Sequence, residues 1–149
     1  MSSYVNPSQS YEYTCIIPAT YKKPEHYIMN ELETFVGQIK ITPENTEFND
    51  VINIIDRYYL YTPTRFVNGT DNDNVVSDAG ENEGSCKIFS FARIHQLDEV
   101  QTLNCFGKYY REDVLNNPEG TDHANIRTFM KHGWDHIKFD NTALTILED

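Results

Sequence analysis

Between Ser85 and Leu97 the chain places Ile88, Phe89, Phe91, Ala92, Ile94 and Leu97 so densely that a helix there has almost no polar face. Such a helix must be enclosed by the rest of the protein. Ser85 can cap it. The segment therefore predicts a central helix with the other elements wrapped around it.

The remaining segments carry single apolar stripes, as wrapping elements do. After Pro24, which suits a first helical position, Ile28, Leu32, Phe35, Val36 and Ile39 follow at spacings of three and four. The run "TPEN" at 42–45 reads as a helix start with Thr42 as cap and Pro43 first inside. Phe48, Val51, Ile52, Ile55 and Tyr58 or Tyr59 then line its buried face, and Pro63 ends it. Asp98 with Gln101 forms a capping box for a helix carrying Leu103, Phe106, Tyr110 and Val114, which "NNPEG" at 116–120 stops. Thr121 or Asp122 caps a last helix with Ile126, Phe129 and Met130, closed by Gly133.

The expected fold is mainly α: a compact single-domain bundle of about five helices. Residues 68–84, "NGTDNDNVVSDAGENEG", predict a long polar loop. Residues 134–146 alternate weakly around Asp140-Asn141, which suggests a small C-terminal hairpin. Residues 1–23 lack a period and read as a poorly ordered or draped N-terminal arm, with a short strand at 13–17. The folded domain is expected over 24–149.

Composition narrows the function classes. With 149 residues and 39% hydrophobic content, the chain can build one core. A formal net charge of −11 repels phosphate backbones and anionic lipid, which argues against nucleic-acid and membrane partners. The N-terminus lacks a basic start followed by an apolar run, so no secretory signal is read and a cytoplasmic location is expected. Cys15, Cys86 and Cys105 are odd in number and form no CxxC pair, which argues against a disulfide framework and a thiolate zinc site.

Several motifs fall short of their templates. "GENEGSCK" at 80–87 has the wrong spacing for a phosphate loop, leaving a glycine-flanked helix start able to hold an anion. "DNDNVVSD" at 71–78 lacks the glycine of a calcium loop. His132 and His136 are four apart, but Gly133 and Trp134 intervene, so no metal site is expected. Cys86 sits where the first turn of a helix stabilises a thiolate. It reads either as a nucleophile with His123 as base and Asp122 or Asn82 as orienter, or as a small buried residue at a tight junction. Arg111 and Arg127 read as structural ion pairs or as clamps for an anionic ligand.

"YLYTPTRFVNG" (59–69), "NEGSCKIFSFARIHQL" (82–97), "TLNCFGKYYREDVL" (102–115) and "GTDHANIRTFMKHGWDHIKF" (120–139) together resemble the HopJ family, named from a type III secreted effector. The resemblance spans roughly 45–140. It departs at Ser77-Asp78, where the family pattern has Asn-Glu. The family motif falls here on Asn68, Gly69, Asn82, Gly84, Ser85, Cys86, Lys87, Tyr110, Arg111, Asp113, Asp122, His123, Asn125, Arg127 and Trp134, which implies a shared polar site but no known reaction.

The functional expectation is a small-ligand domain whose cleft forms where the helix starts near Ser85 and Asp122 meet. Cys86, His123 and Asp122 are its candidate catalytic groups. Asn68, Asn82, Ser85, Lys87, Tyr110, Arg111, Asn125 and Arg127 are its candidate ligand-binding groups. The expected ligand is a small anionic molecule, with no cofactor. The alternative is a protein-interaction module, such as a translocated effector or regulator, presenting the acidic loop and surface tyrosines.

Overall fold

The computed structural model describes residues 29–148. The expected N-terminal arm, the strand at 13–17, Cys15 and the helix start at Pro24 lie outside the described residues. Five α-helices are present among the described residues: α1 (Glu31–Ile41), α2 (Phe48–Tyr58), α3 (Glu83–Ile94), α4 (Glu99–Asn104) and α5 (Ala124–His132).

The mainly helical class is nevertheless overturned, because five strands form two antiparallel sheets among the described residues. They are β1 (Tyr59–Tyr61), β2 (Phe66–Thr70), β3 (Asp73–Ser77), β4 (Ile137–Phe139) and β5 (Leu144–Ile146). One sheet has the order β3-β2-β4 and the other pairs β1 with β5. Most of the expected loop at 68–84 is thus a hairpin turning at Asp71-Asn72, with Asn68 opposite Val75 and Gly69 opposite Asn74. Its polar composition hid it, because the residues that β2 buries include Asn68 as well as Phe66. Gly69 holds φ +111°, and a Cβ there would lie 2.8 Å from Thr128 Cγ2. Glycine is what allows α5 to lie against this hairpin.

The C-terminal hairpin is also corrected. Both expected strands exist, but β4 adds to β2 and β5 to β1, so they do not pair with each other. Short strands cannot satisfy their backbone alone, and each finds its partner far away in sequence.

Local starts and stops explain the helices. Asn30 caps α1 in a reciprocal box with Glu33, each side chain bonded to the other's backbone N–H. The predicted box of Asp98 and Gln101 opens α4. Thr42 does not cap a following helix, its hydroxyl donating instead to the Gln38 carbonyl at the end of α1: Pro43–Asn45 form a single 3-10 turn, and α2 begins at Phe48. The helix expected through Val114 breaks at Gly107, φ +61°, where a Cβ would lie 2.8 Å from the Phe48 backbone nitrogen. It resumes as a π-helical turn over Tyr109–Val114.

Helix α3 is central, as its residues demand. Cys86, Ile88, Phe89, Phe91 and Ala92 are buried, although Ile94 is exposed. Phe89 meets the rings of Phe66, Phe106, Phe129 and Trp134 at 5.0–6.3 Å between centroids. Truncating a buried ring of this kind costs about 3–5 kcal/mol. This aromatic core fixes α3 against α5, and with them the positions of the two helix starts.

Candidate functional site

The starts of α3 and α5 open on one cleft of about 360 Å³. Asn82, Gly84 and Ser85 come from the first, and His123 to Ile126 from the second. Phe48, Val75, Phe106 and Tyr109 complete the wall. The convergence of these two segments, remote in sequence, is what the cleft requires.

Both helices begin in the same unusual way. Asn82 (φ 50°, ψ 47°) and His123 (φ 52°, ψ 50°) are left-handed residues at the capping position, and neither side chain caps its helix. The expected caps Ser85 and Asp122 do not cap: Ser85 lies inside the first turn of α3, and Asp122 precedes His123. A left-handed residue followed by right-handed ones turns successive amides toward one concavity. The first intrahelical bonds are Cys86 N to Asn82 O and Arg127 N to His123 O. The amides of Gly84, Ser85, Ala124, Asn125 and Ile126 therefore start their helices without an intrahelical acceptor. Each helix also carries roughly half a positive elementary charge at this end. Gly84 leaves room for the Phe48 ring, whose edge would stand 3.1 Å from a Cβ.

Beneath the cleft lies a pair of asparagines. Asn68, wholly buried, donates from Nδ2 to both the backbone carbonyl and Oδ1 of Asn125, each at 2.9 Å. A carbonyl can only accept, so Asn68 must face it with its amino group. That in turn turns Asn125 Oδ1 toward Asn68 and leaves Asn125 Nδ2 unbonded to any described residue. Asn125 is only 6% exposed and lines the cleft. Asn68 Oδ1 is buried without a partner, the only such side-chain atom among the described residues. Orphaned buried polar atoms are costly, and this one is retained at the base of a cleft.

His123 is held from behind. Its Nε2 lies 3.0 Å from Asp113 Oδ2, and its ring stands over Tyr109 at 5.4 Å. A carboxylate accepts, so Nε2 carries the proton and Nδ1 is the other ring nitrogen. The π-helical turn supplies both Tyr109 and Asp113. Asp122 lies 3.9 Å from His123 Nε2 but is bonded to Arg127 at 2.7 Å, and that guanidinium holds its carboxyl below the usual range.

The structure separates the other expected residues from the cleft. Cys86 is 1% exposed and turned to Tyr61 and Thr64; burial pushes its thiol up, opposite to what a nucleophile needs. No hydrogen bond joins it to His123 among the described residues. Lys87 pairs with Asp56 at 3.2 Å and lies over the Tyr61 ring. Arg111 donates to Asn104 and to the Thr46 carbonyl, stitching α4 to the turn before α2. Arg127 is spent on Asp122 and the Asn117 carbonyl. Tyr110 packs partly buried against the core.

Asn82, Ser85, His123 and Asn125 are thus brought together, with Asn68 below them. Sequence reasoning missed Tyr109 and the apolar wall of Phe48, Val75 and Phe106, and it placed Asp113 only through the family resemblance, without its pairing with His123. The pairing of Asp113 with His123, ten residues on, offered no periodic signal, because turns and irregular backbone, not a helix, connect them over 115–123. No group of three or more His, Cys, Asp or Glu suited to a metal is found among the described residues. No helix among them is long and apolar enough to cross a membrane.

The family model described as HopJ type III effector protein matches residues 32–144, and the chain belongs to that family. A crystal structure of "unknown function protein VPA0580" is similar, with 45% sequence identity and a TM-score of 0.75. The match covers 80% of this chain and 97% of that one. No match was found among curated proteins.

Proposed function

We propose that the protein binds a small anionic molecule, whose charged end rests on the paired starts of α3 and α5. Asn125 carries this reading. Its side chain is nine-tenths buried, locked by Asn68, and its Nδ2 has no acceptor among the described residues. A donor built into a cleft beside two uncapped helix starts fits an anion and little else. Cys86 has no part in this reading. An interaction module built on the acidic loop is less supported, because 71–78 form a hairpin and Asp73 is taken up by Lys131 and His132. The family description names an effector, and delivery of such a binding domain into another cell is compatible with the proposal.

Thermal unfolding tests it. Sodium salts of small carboxylates and phosphates, at matched ionic strength against chloride, should raise the midpoint for at least one anion. Saturation at a hundred times Kd adds about 2.7 kcal/mol. The variant Ala124→Asp places its own carboxylate at the α5 start and should abolish the rise. If no anion shifts the wild-type midpoint, the proposal fails.

A further inference from the structure

We infer that the ligand is a monoanionic carboxylate with an aromatic or branched aliphatic body; this rests on the anion-binding proposal above and narrows it. The argument begins with charge. Two helix starts at roughly half an elementary charge each supply about one positive charge to the cleft. No lysine or arginine lines it. Lys87 is engaged by Asp56, and Arg127 by Asp122. Arg111 is bonded to Asn104 and the Thr46 carbonyl and stands 3.7 Å from Glu47. The one imidazole in the lining, His123, already faces the Asp113 carboxylate at 3.0 Å. A phosphomonoester dianion would therefore enter with about one charge uncompensated, inside a protein of net charge −11. A carboxylate matches the available charge.

The donors agree with the charge. A carboxylate offers two oxygens and about four lone-pair sites. The unpaired amides of the two first turns and Asn125 Nδ2 satisfy those from two sides. The rest of the wall is apolar: the rings of Phe48, Phe106 and Tyr109, with Val75 and Ile126. Formate or acetate would leave these rings facing water. A planar or branched body would cover them and gain the corresponding apolar burial. The volume of about 360 Å³ lies at the small end of ligand sites, which run from ~300 to ~1,000 Å³. It suits a single ring and not a nucleotide.

Isothermal calorimetry of the full chain with benzoate, acetate, phenyl phosphate and benzyl alcohol tests the inference. Benzoate is expected to bind at least about tenfold more tightly than each of the others, and Ala124→Asp, which leaves the core untouched, to lose benzoate binding. Phenyl phosphate binding as tightly as benzoate overturns the carboxylate assignment while leaving an anion cleft standing. Acetate as tight as benzoate overturns the apolar body alone. Benzyl alcohol as tight as benzoate, or heat from none of the anions, overturns both this inference and the proposal beneath it.

Discussion

Asn68 shows how one side chain can build a site that it does not enter. It has no exposed surface, spends its amino group on Asn125, and leaves its own Oδ1 without a partner among the described residues. Replacing it with alanine removes two buried hydrogen bonds and frees Asn125 to rotate. Asn68→Ala should lower stability by about 2–3 kcal/mol, read from urea unfolding, and should also abolish anion binding in protein that remains folded. A variant as stable as wild type would show that the asparagine pair is not holding the cleft floor. His123 is a second such case. The Asp113 carboxylate behind it and the Tyr109 ring beside it fix the orientation of its imidazole before any ligand arrives.

Helix starts are where this protein departs from ordinary practice. At α1 and α4 the caps are complete, Asn30 with Glu33 and Asp98 with Gln101, whereas α2 starts at Glu47 without a side-chain cap. At α3 and α5 the residue at the capping position is left-handed and its side chain does not cap, so the first amides lack an intrahelical acceptor beside the cleft. The open ends carry a stability cost that a fixed carboxylate would remove. Ala124→Asp should therefore raise unfolding stability by about 0.3–1 kcal/mol in the absence of ligand, measured by the denaturant midpoint, while losing binding. A loss of stability would mean that these amides already have partners. The central α3, the Asp98 box and the Gly133 stop were legible in sequence because each rests on neighbours in the chain. The sheets were not. Their strands run three to five residues, and β2 buries Asn68 where an apolar residue would have signalled a strand. The meeting of the two helix starts was expected from their chemistry together with the polar residues that the family resemblance gathers there. The Asp113–His123 pairing escaped because the backbone between them is turn and irregular structure, which carries no periodic signal.

At the scale of the molecule, the aromatic core around Phe89 sets both the stability and the site, since it joins α3 to α5. Burial of thiols gives this stability a pH dependence. Cys105 is fully buried, and its thiol is pushed up to about 12; burial also raises that of Cys86. A thiol raised on folding contributes stability that is intact below the unfolded value of ~8.5, and that is lost as pH climbs toward the folded one. Unfolding midpoints in reducing buffer should hold steady near neutrality and then fall above about pH 8.5. The fall should be shallower in Cys105→Ala, whose loss of one buried thiol removes about 1.4 kcal/mol per pH unit from the slope. An unchanged slope would place Cys105 in water.

The convergence of two helix starts on one anion is tested most directly by the amide spectrum of nitrogen-15-labelled protein titrated with benzoate. The amides of Gly84, Ser85, Ala124 and Asn125 should move together along a single saturating curve, with the Asn125 side-chain signal following them. Shifts confined to one helix start, or scattered over residues outside the cleft, would contradict the account.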